Sequence, residues 1–218
     1  MLKFKLIDAG LKPYRGALQL QEELFNKNIA AKLVHQPTQN HLILCQHLPV
    51  FTIGKSGKKE NIITGTDNLN AEFYQTNRGG DVTFHGPGQL VAYPILDLDT
   101  LRIGLAKYIS NLEETIIQTL LQYGLKGERI KDAAGVWLHD EMGERKICAI
   151  GVKASRNITM HGLAMNVNTD LSYFDKIIPC GIADKGVTSL QKELKREVNF
   201  EEYKKVFVNA FAELFDLQ

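Results

Sequence analysis

Three amphipathic segments with helical spacing are interspersed with short strand-like runs, and this arrangement most limits the folds that the chain can adopt. Apolar residues recur at three- and four-residue spacings over Tyr14–Leu33, and again over Leu101–Tyr123 before Gly124. The third segment runs from Phe200 to about Leu217 behind Asn199, a residue type that caps helix N-termini. The pattern predicts three helices, each with one buried face.

The strand-like runs lie between these helices without a regular alternation of strand and helix. They are His41–Cys45, Val50–Ile53, Leu90–Leu96, Gly135–Leu138, Lys146–Lys153 and His161–Val167. The polar segment His139–Arg145 predicts a hairpin between two of them. We therefore expect an α+β fold with a mixed or antiparallel β-sheet flanked by helices. No repeat or linker divides the chain, so residues 1–218 are predicted to form one domain.

Composition excludes several classes of protein. A chain of 218 residues with 44% hydrophobic residues can bury a proper core. Its formal net charge of +1 argues against a nucleic-acid partner, which needs a strongly basic face. No apolar run approaches the roughly 18 residues of a membrane span, so no membrane partner is expected. The N-terminal residues lack a signal-peptide pattern, which makes a cytoplasmic location the expectation.

The cysteines are too few and too scattered for a disulfide framework, and no CxxC pair occurs. They are Cys45, Cys148 and Cys180. The first two lie in apolar runs and are interpreted as core residues. Three histidines recur every six residues at His35, His41 and His47. Because a turn predicted at residues 37–40 separates the first two, no metal site is expected.

The densest loop pattern is Asn77–Gln89, with four glycines and a proline around Arg78 and His85. Glycine content alone favours a pair of tight turns. An arginine and a histidine in such a loop indicate instead that something polar is held there, with glycine backbone close to a ligand. The Gly54-Lys55-Ser56 sequence is not a P-loop, because position 49 is proline where that motif needs glycine.

Cys180 stands between Pro179 and Gly181, which is how a side chain is presented at a sharp bend. Core residue and nucleophile are equally good interpretations. A nucleophilic thiol needs a nearby cation or base, for which the candidates are Lys146, His85, His161 and Lys153. Strand alternation predicts that Lys146 and Cys148 share one face and that Ala149 and Gly151 share the other.

Taken in order, these segments resemble the lipoyl(octanoyl) transferases of lipoate biosynthesis. The motifs are His47–Gly54, Arg78–Gln89, Gly135–Trp137, Lys146–Gly151, His161–Asn168, Pro179–Gly181 and Val187–Leu190. The resemblance implies the catalytic fold of biotin and lipoate protein ligases, a mixed sheet flanked by helices. One departure is Lys195, where a glycine is expected.

The resemblance also implies how the residues act. Cys180 would carry the acyl group as a thioester and Lys146 would be its acid/base partner. The acyl pocket would be formed by Arg78, Gly79, Gly80, Asp81, Val82, Thr83, Phe84, His85, Ala149, Ile150, Gly151, Gly162, Leu163 and Ala164. The donor would be octanoyl-acyl carrier protein. The acceptors would be lipoyl domains of 2-oxoacid dehydrogenase complexes and the glycine cleavage H protein. No cofactor, ATP or metal is implied.

Three other functions fit parts of the sequence. An ATP-dependent lipoate or biotin ligase has the same fold but needs no nucleophilic cysteine. A hydrolase would use Cys180 with His85 or His161, although no third orienting group is evident. A non-catalytic protein would bind acyl carriers or lipoyl domains. A basic cluster of Lys55, Lys58 and Lys59 would suit an acidic carrier protein, and is equally an ordinary solvated loop.

Overall fold

The computed structural model describes residues 3–63, 70–141, 143–178 and 185–218. Its helices are α1 (Tyr14–Leu33), α2 (Leu105–Leu121), α3 (Leu190–Leu194) and α4 (Phe200–Leu214). Its strands are β1 (Lys5–Lys12), β2 (His41–His47), β3 (Val50–Ile53), β4 (Glu72–Gln75), β5 (Val82–His85), β6 (Gln89–Ile95), β7 (Glu128–Ile130), β8 (Ala133–Asp140), β9 (Gly143–Ser155), β10 (Ile158–Asn166) and β11 (Gly186–Val187).

The described strands form two sheets. The larger sheet follows the order β1-β2-β6-β10-β9-β8-β7, with β11 paired to β9. Within it β1 is parallel to β2 and β11 is parallel to β9, whereas the other pairs are antiparallel. The smaller sheet has the order β4-β3-β5, with one parallel and one antiparallel pair. The predicted mixed sheet flanked by helices is confirmed.

The helices follow the sequence pattern closely. The bounds of α1 are those predicted. Helix α2 begins after Gly104 rather than at Leu101, because Arg102 has a left-handed φ of 55° that a right-handed helix cannot contain. At the start of α4, the Asn199 side chain accepts hydrogen bonds from the backbone N–H groups of Glu201 and Glu202, each 3.1 Å long. This is the predicted N-cap.

The larger sheet buries both faces. Helices α2 and α4 pack on one face through apolar residues that include Leu112, Ile116 and Phe207. Helix α1 covers the other face, where Ala17 and Phe25 join the apolar residues of β2, β6 and β10. The predicted hairpin joins β8 to β9, and the residues Asp140 and Gly143 pair at its end. None of the helices in the described ranges is long and apolar enough to cross a membrane.

Sequence patterns missed β1, β4, β5, β7 and β11. Strand β5 lies inside the glycine-rich segment that the sequence predicts as a loop, and it pairs antiparallel with β3. Glycine therefore marks the ends of this strand rather than a continuous loop, and the smaller sheet that results packs beside the larger one.

Candidate active site

A narrow, mostly apolar cavity lies between the larger sheet and β5. Strands β9, β10 and β6 line one side, and β5 with the loop before it lines the other. Most of the predicted pocket residues form its wall: Arg78, Gly80, Asp81, Val82, Thr83, His85, Ala149, Ile150, Gly151, Gly162, Leu163 and Ala164. Lys146 lines the same cavity. The fold thus brings segments far apart in the sequence around one apolar space.

Two predicted pocket residues lie behind this wall. Phe84 is 1% exposed, and its ring stacks on Tyr173 with centroids 4.3 Å apart. Phe84 packs instead in the apolar cluster of the smaller sheet, with Phe51 and Phe174. Gly79 donates its backbone N–H to the carbonyl of Val152 at 2.9 Å. Both residues support the wall without forming its surface.

Arg78 ties the glycine-rich loop to β3. Its guanidinium, 8% exposed, donates to the carbonyl oxygens of Thr52 at 2.8 Å, Asp81 at 2.7 Å and Gly79 at 2.9 Å. The planar fork of arginine suits several such acceptors at once. A Cβ at Gly151 would lie 2.8 Å from the Gly79 carbonyl oxygen, so the loop requires glycine on β9 beneath it.

Asp81 connects the cavity rim to the basic cluster. Its carboxylate accepts from the Val82 N–H at 2.6 Å, from the Asn61 amide at 2.5 Å and from the Lys58 N–H at 3.3 Å. These bonds hold the short 3-10 turn Lys59–Asn61 against the rim. The exposed lysines of the cluster, Lys55, Lys58 and Lys59, therefore lie beside the glycine-rich loop.

Buried histidines surround the cavity as neutral groups. Burial lowers the pKa of His85 to about 3, of His161 to about 3 and of His47 to about 4. Nδ1 of His85 lies 2.8 Å from the Gln89 side-chain oxygen, and Nε2 of His161 lies 2.9 Å from that of Asn77. Because their pKa values are so low, His85 and His161 are weak bases near neutral pH.

Lys146 reaches the cavity because of a β-bulge. Val136 pairs with Cys148 but Trp137 pairs with Lys146, which leaves Ile147 without a partner on β8. The prediction that Lys146 and Cys148 share a face is wrong, since the extra residue reverses the alternation between them. Cys148 and Ile147 both pack into the core under α2 and α4, whereas Lys146, 8% exposed, turns toward the cavity.

The indole ring of Trp137 holds two ammonium groups. Nζ of Lys146 lies 4.6 Å from the ring centroid and Nζ of Lys185 lies 5.5 Å from it. The ring is itself fixed, because Trp137 is 2% exposed and its Nε1 donates to the Ala133 carbonyl at 3.0 Å. Lys185 also forms an ion pair with Glu144. The ring quadrupole attracts a cation that lies over the aromatic face, so Trp137 positions the Lys146 amine.

Cys180 lies outside the described residues. The chain after it enters the larger sheet at β11, where Val187 pairs with Lys146. The chain before it is fixed by the Ile178 N–H, which donates to the Asn61 carbonyl at 2.7 Å. The described residues that flank Cys180 thus contact two elements of the site, the strand of Lys146 and the 3-10 turn beside Asp81.

The other two thiols are buried, as the sequence predicts. Cys45 is 3% exposed and Cys148 is fully buried. Burial raises the pKa of Cys45 to about 12 and raises that of Cys148 as well. Neither is suited to act as a nucleophile.

Sequence reasoning missed three residues of the cavity wall. Tyr14 comes from the first turn of α1, while Val91 and Tyr93 come from β6. Each looks like an ordinary core residue, and periodicity alone cannot distinguish a side chain that faces a cavity from one that faces a packed core. Among the described residues no three His, Cys, Asp or Glu side chains are grouped as metal ligands would be.

Residues 13–212 match the family model of the lipoyl protein ligase A/B catalytic domain. An octanoyltransferase of Parabacteroides distasonis is 50% identical, over 99% of this chain and 100% of that protein. An octanoyltransferase of Christiangramia forsetii is 48% identical, over 96% of this chain and 94% of that protein.

Solved structures share the fold at low sequence identity. A bipartite lipoate protein ligase from Thermoplasma acidophilum has a TM-score of 0.73 at 16% identity, covering 100% of this chain and 86% of its own. Lipoate-protein ligase A bound with ATP has a TM-score of 0.72 at 15% identity, covering 99% of this chain and 86% of its own. A biotin protein ligase from Aquifex aeolicus has a TM-score of 0.53 at 14% identity, covering 99% of this chain and 70% of its own.

Proposed function

The chain belongs to the lipoyl protein ligase A/B catalytic domain family, and from this premise we propose that it transfers an octanoyl group from a thioester donor to a lysine of a lipoyl domain. The observation that carries the proposal is the apolar cavity with Lys146 in its wall. Burying about seven acyl carbons contributes roughly 5–6 kcal/mol at about 0.8 kcal/mol per methylene. Relatives at 48–50% identity that are named octanoyltransferases support the choice of acyl group.

In the proposed reaction Cys180 is the nucleophile and Lys146 the acid/base partner. The Cys180 thiolate attacks the thioester carbonyl of the donor, a new C–S bond forms, and the donor thiol leaves with a proton from the Lys146 ammonium. The acceptor lysine then attacks the acyl-cysteine. The neutral Lys146 amine takes a proton from the attacking nitrogen, the amide forms, and the Cys180 thiolate leaves. The thiolate and ammonium pair is thereby restored.

The reaction needs no ATP, because one thioester is exchanged for another before the downhill step to an amide. We take octanoyl-acyl carrier protein as the donor. The acceptors are the lipoyl domains of 2-oxoacid dehydrogenase complexes and the glycine cleavage H protein, and residues 1–218 act as one catalytic unit. An ATP-dependent ligase is not favoured, since the relatives near 50% identity are octanoyltransferases and the ligase structures resemble this chain in fold at 14–16% identity.

A Cys/His hydrolase is also less well supported. Both candidate bases, His85 and His161, are buried and have pKa values near 3, so neither readily accepts a proton at neutral pH. The β-bulge brings the amine of Lys146 to the same cavity.

The test is octanoyl transfer from octanoyl-acyl carrier protein to a purified lipoyl domain in the absence of ATP. We expect transfer by the wild type and its loss in Lys146→Ala. Lys153→Ala is the matched control, because Lys153 is also on β9 but its Nζ lies 5.1 Å from the ring of Phe25 on α1. Full activity of Lys146→Ala would refute the dyad. Hydrolysis in place of transfer would favour the hydrolase, and binding without turnover would favour a non-catalytic protein.

The basic cluster provides a separate prediction about the donor. Changing Lys55, Lys58 and Lys59 to Glu should raise KM for the acyl carrier protein at low salt, because exposed charges steer an acidic partner. The effect should shrink at high salt, where such charges are screened. Steady-state kinetics at two ionic strengths measure it. An unchanged KM at low salt would remove this cluster from the carrier interface.

A further inference from the structure

We propose that Val91, together with Tyr14 and Tyr93, ends the acyl cavity and sets the length of chain that it accepts. The inference rests on the proposed acyl transfer. It adds that the octanoyl preference comes from β6 and the start of α1, two elements remote in sequence from both Lys146 and Cys180.

One row of paired residues crosses four strands of the larger sheet. Ala149 on β9 pairs with Ala164 on β10, Ala164 pairs with Val91 on β6, and Val91 pairs with Cys45 on β2. The first three line the cavity, whereas Cys45 does not. The cavity thus crosses three strands along this row and stops where the small alanines give way to valine.

The end of the cavity is rigid. Val91, Tyr14 and Tyr93 are 1%, 2% and 4% exposed. The Tyr93 hydroxyl lies 2.8 Å from Nε2 of His47, whose Nδ1 lies 2.9 Å from the Lys12 carbonyl. Tyr14 packs edge-on against the His47 ring, with centroids 5.4 Å apart. An end wall held by ring packing and hydrogen bonds does not yield readily to a longer chain.

The length of the row matches an octanoyl chain. Neighbouring strands lie about 4.8 Å apart, so the two steps from Ala149 to Val91 span about 10 Å. Seven carbon–carbon bonds of about 1.5 Å in an extended chain advance about 9 Å. With the acyl carbonyl at Ala149, on the strand that also carries Lys146, the terminal methyl group reaches Val91.

The test is a competition in which one enzyme sample receives equal amounts of hexanoyl-, octanoyl-, decanoyl- and dodecanoyl-acyl carrier protein. Intact-mass analysis then reads the ratio of acyl groups on the lipoyl domain. This ratio does not depend on how much of a variant is folded. Val91→Ala should raise the decanoyl-to-octanoyl ratio by about tenfold, since pocket discrimination for one methylene is at least of that order. Tyr14→Ala should raise it in the same direction.

Ala164→Val should act in the opposite direction. The added methyl groups lie in the middle of the row, so the hexanoyl-to-octanoyl ratio should rise by about tenfold. The matched control is Ile95→Val, on the same strand and in the same apolar cluster as Val91 but outside the cavity wall, and its ratios should equal those of the wild type.

The outcomes separate the two proposals. Unchanged ratios in Val91→Ala and Ala164→Val, with an active wild type, would overturn the role of this row in chain length and leave the transferase proposal intact. A shift in Ile95→Val as large as that in Val91→Ala would also overturn it, because the effect would then be one of general packing. A wild type that transfers none of the acyl groups would refute the proposed function itself.

Discussion

At the scale of single residues, the site depends on how Lys146 is held. The bulge at Ile147 turns the lysine toward the cavity, and the face of Trp137 lies 4.6 Å from its amine. A cation–π contact that is sheltered from water contributes about 2 kcal/mol. Trp137 is therefore a positioning residue, and its effect should appear in the chemical step rather than in donor binding.

We expect Trp137→Leu to lower kcat for octanoyl transfer about tenfold while changing KM for the donor little. Trp137→Phe should recover most of the loss because it keeps an aromatic face. Both variants lose the indole hydrogen bond to Ala133, so their difference isolates the ring. Steady-state kinetics measure kcat and KM separately. Equal kcat values for the two variants would contradict the assigned role.

Among single residues, most of the cavity wall was predictable, whereas the face of Lys146 and the position of Val91 were not. Nearly all of the pocket residues implied by the family resemblance line the cavity, because short motifs fix backbone approach at glycines such as Gly151. The predicted face of Lys146 is wrong, because the β-bulge inserts one residue into β9 and such an insertion cannot be read from the local alternation of the sequence. Val91 was missed because its neighbours in space come from distant strands.

At the scale of elements, α3 explains the departure at Lys195. This residue ends α3 in a left-handed conformation, with φ of 54° and ψ of 30°. A glycine adopts that conformation without the clash that a Cβ causes. The glycine that the family resemblance implies is thus a helix C-terminal residue, and the lysine here is strained.

Lys195→Gly should therefore raise the free energy of unfolding by about 0.5–1 kcal/mol, the left-handed strain less the added freedom of glycine in the unfolded chain. Gly124→Ala is the matched opposite, because Gly124 has a φ of +74° and open space where a Cβ would lie. Gly124→Ala should lower the free energy of unfolding by about 1 kcal/mol. Urea denaturation of both variants measures the change. A less stable Lys195→Gly protein would show that the lysine is not strained.

The three long helices α1, α2 and α4 were predictable, whereas the short helix α3 and the sheet edges were not. The apolar spacing of α1 and the Asn199 cap of α4 are local patterns that fix these elements within the chain itself. Strand β5 exists because it pairs with β3, about thirty residues earlier in the sequence, and this pairing overrides a glycine-rich composition that indicates turns.

At the scale of the whole molecule, buried histidines where the two sheets meet make stability depend on pH. His47, His85 and His161 have pKa values of about 4, 3 and 3, below the ordinary 6.5. All three are neutral in the folded chain at pH 7. Below pH 6.5 the unfolded chain binds protons that the folded chain does not, so stability is complete above pH 6.5 and falls as the pH drops toward 4.

At pH 5.5 each of these three histidines should lower the free energy of unfolding by about 1.4 kcal/mol. The free energy of unfolding at pH 5.5 should therefore be roughly 4 kcal/mol lower than at pH 7.5. Urea denaturation at the two pH values measures the difference. His35 lies on the exposed surface, and His35→Gln should leave the difference unchanged. A stability that is equal at both pH values would show that the buried rings are not held neutral.

The cavity itself is a property of the whole molecule. Ala149, Ala164 and Val91 form one row only after β9, β10 and β6 have paired. No local pattern encodes that register, although the order of the motifs along the chain implied which segments would meet.

The most direct test of the proposed reaction is intact-mass analysis of the protein after treatment with octanoyl-acyl carrier protein, followed by a chase with a lipoyl domain. We expect the wild type to gain one octanoyl group and to lose it to the lipoyl domain during the chase. Cys45→Ala and Cys148→Ala should behave in the same way, since both thiols are buried. Cys180→Ala should gain none. An octanoyl adduct that survives in Cys180→Ala, or one that the lipoyl domain cannot remove, would contradict the mechanism.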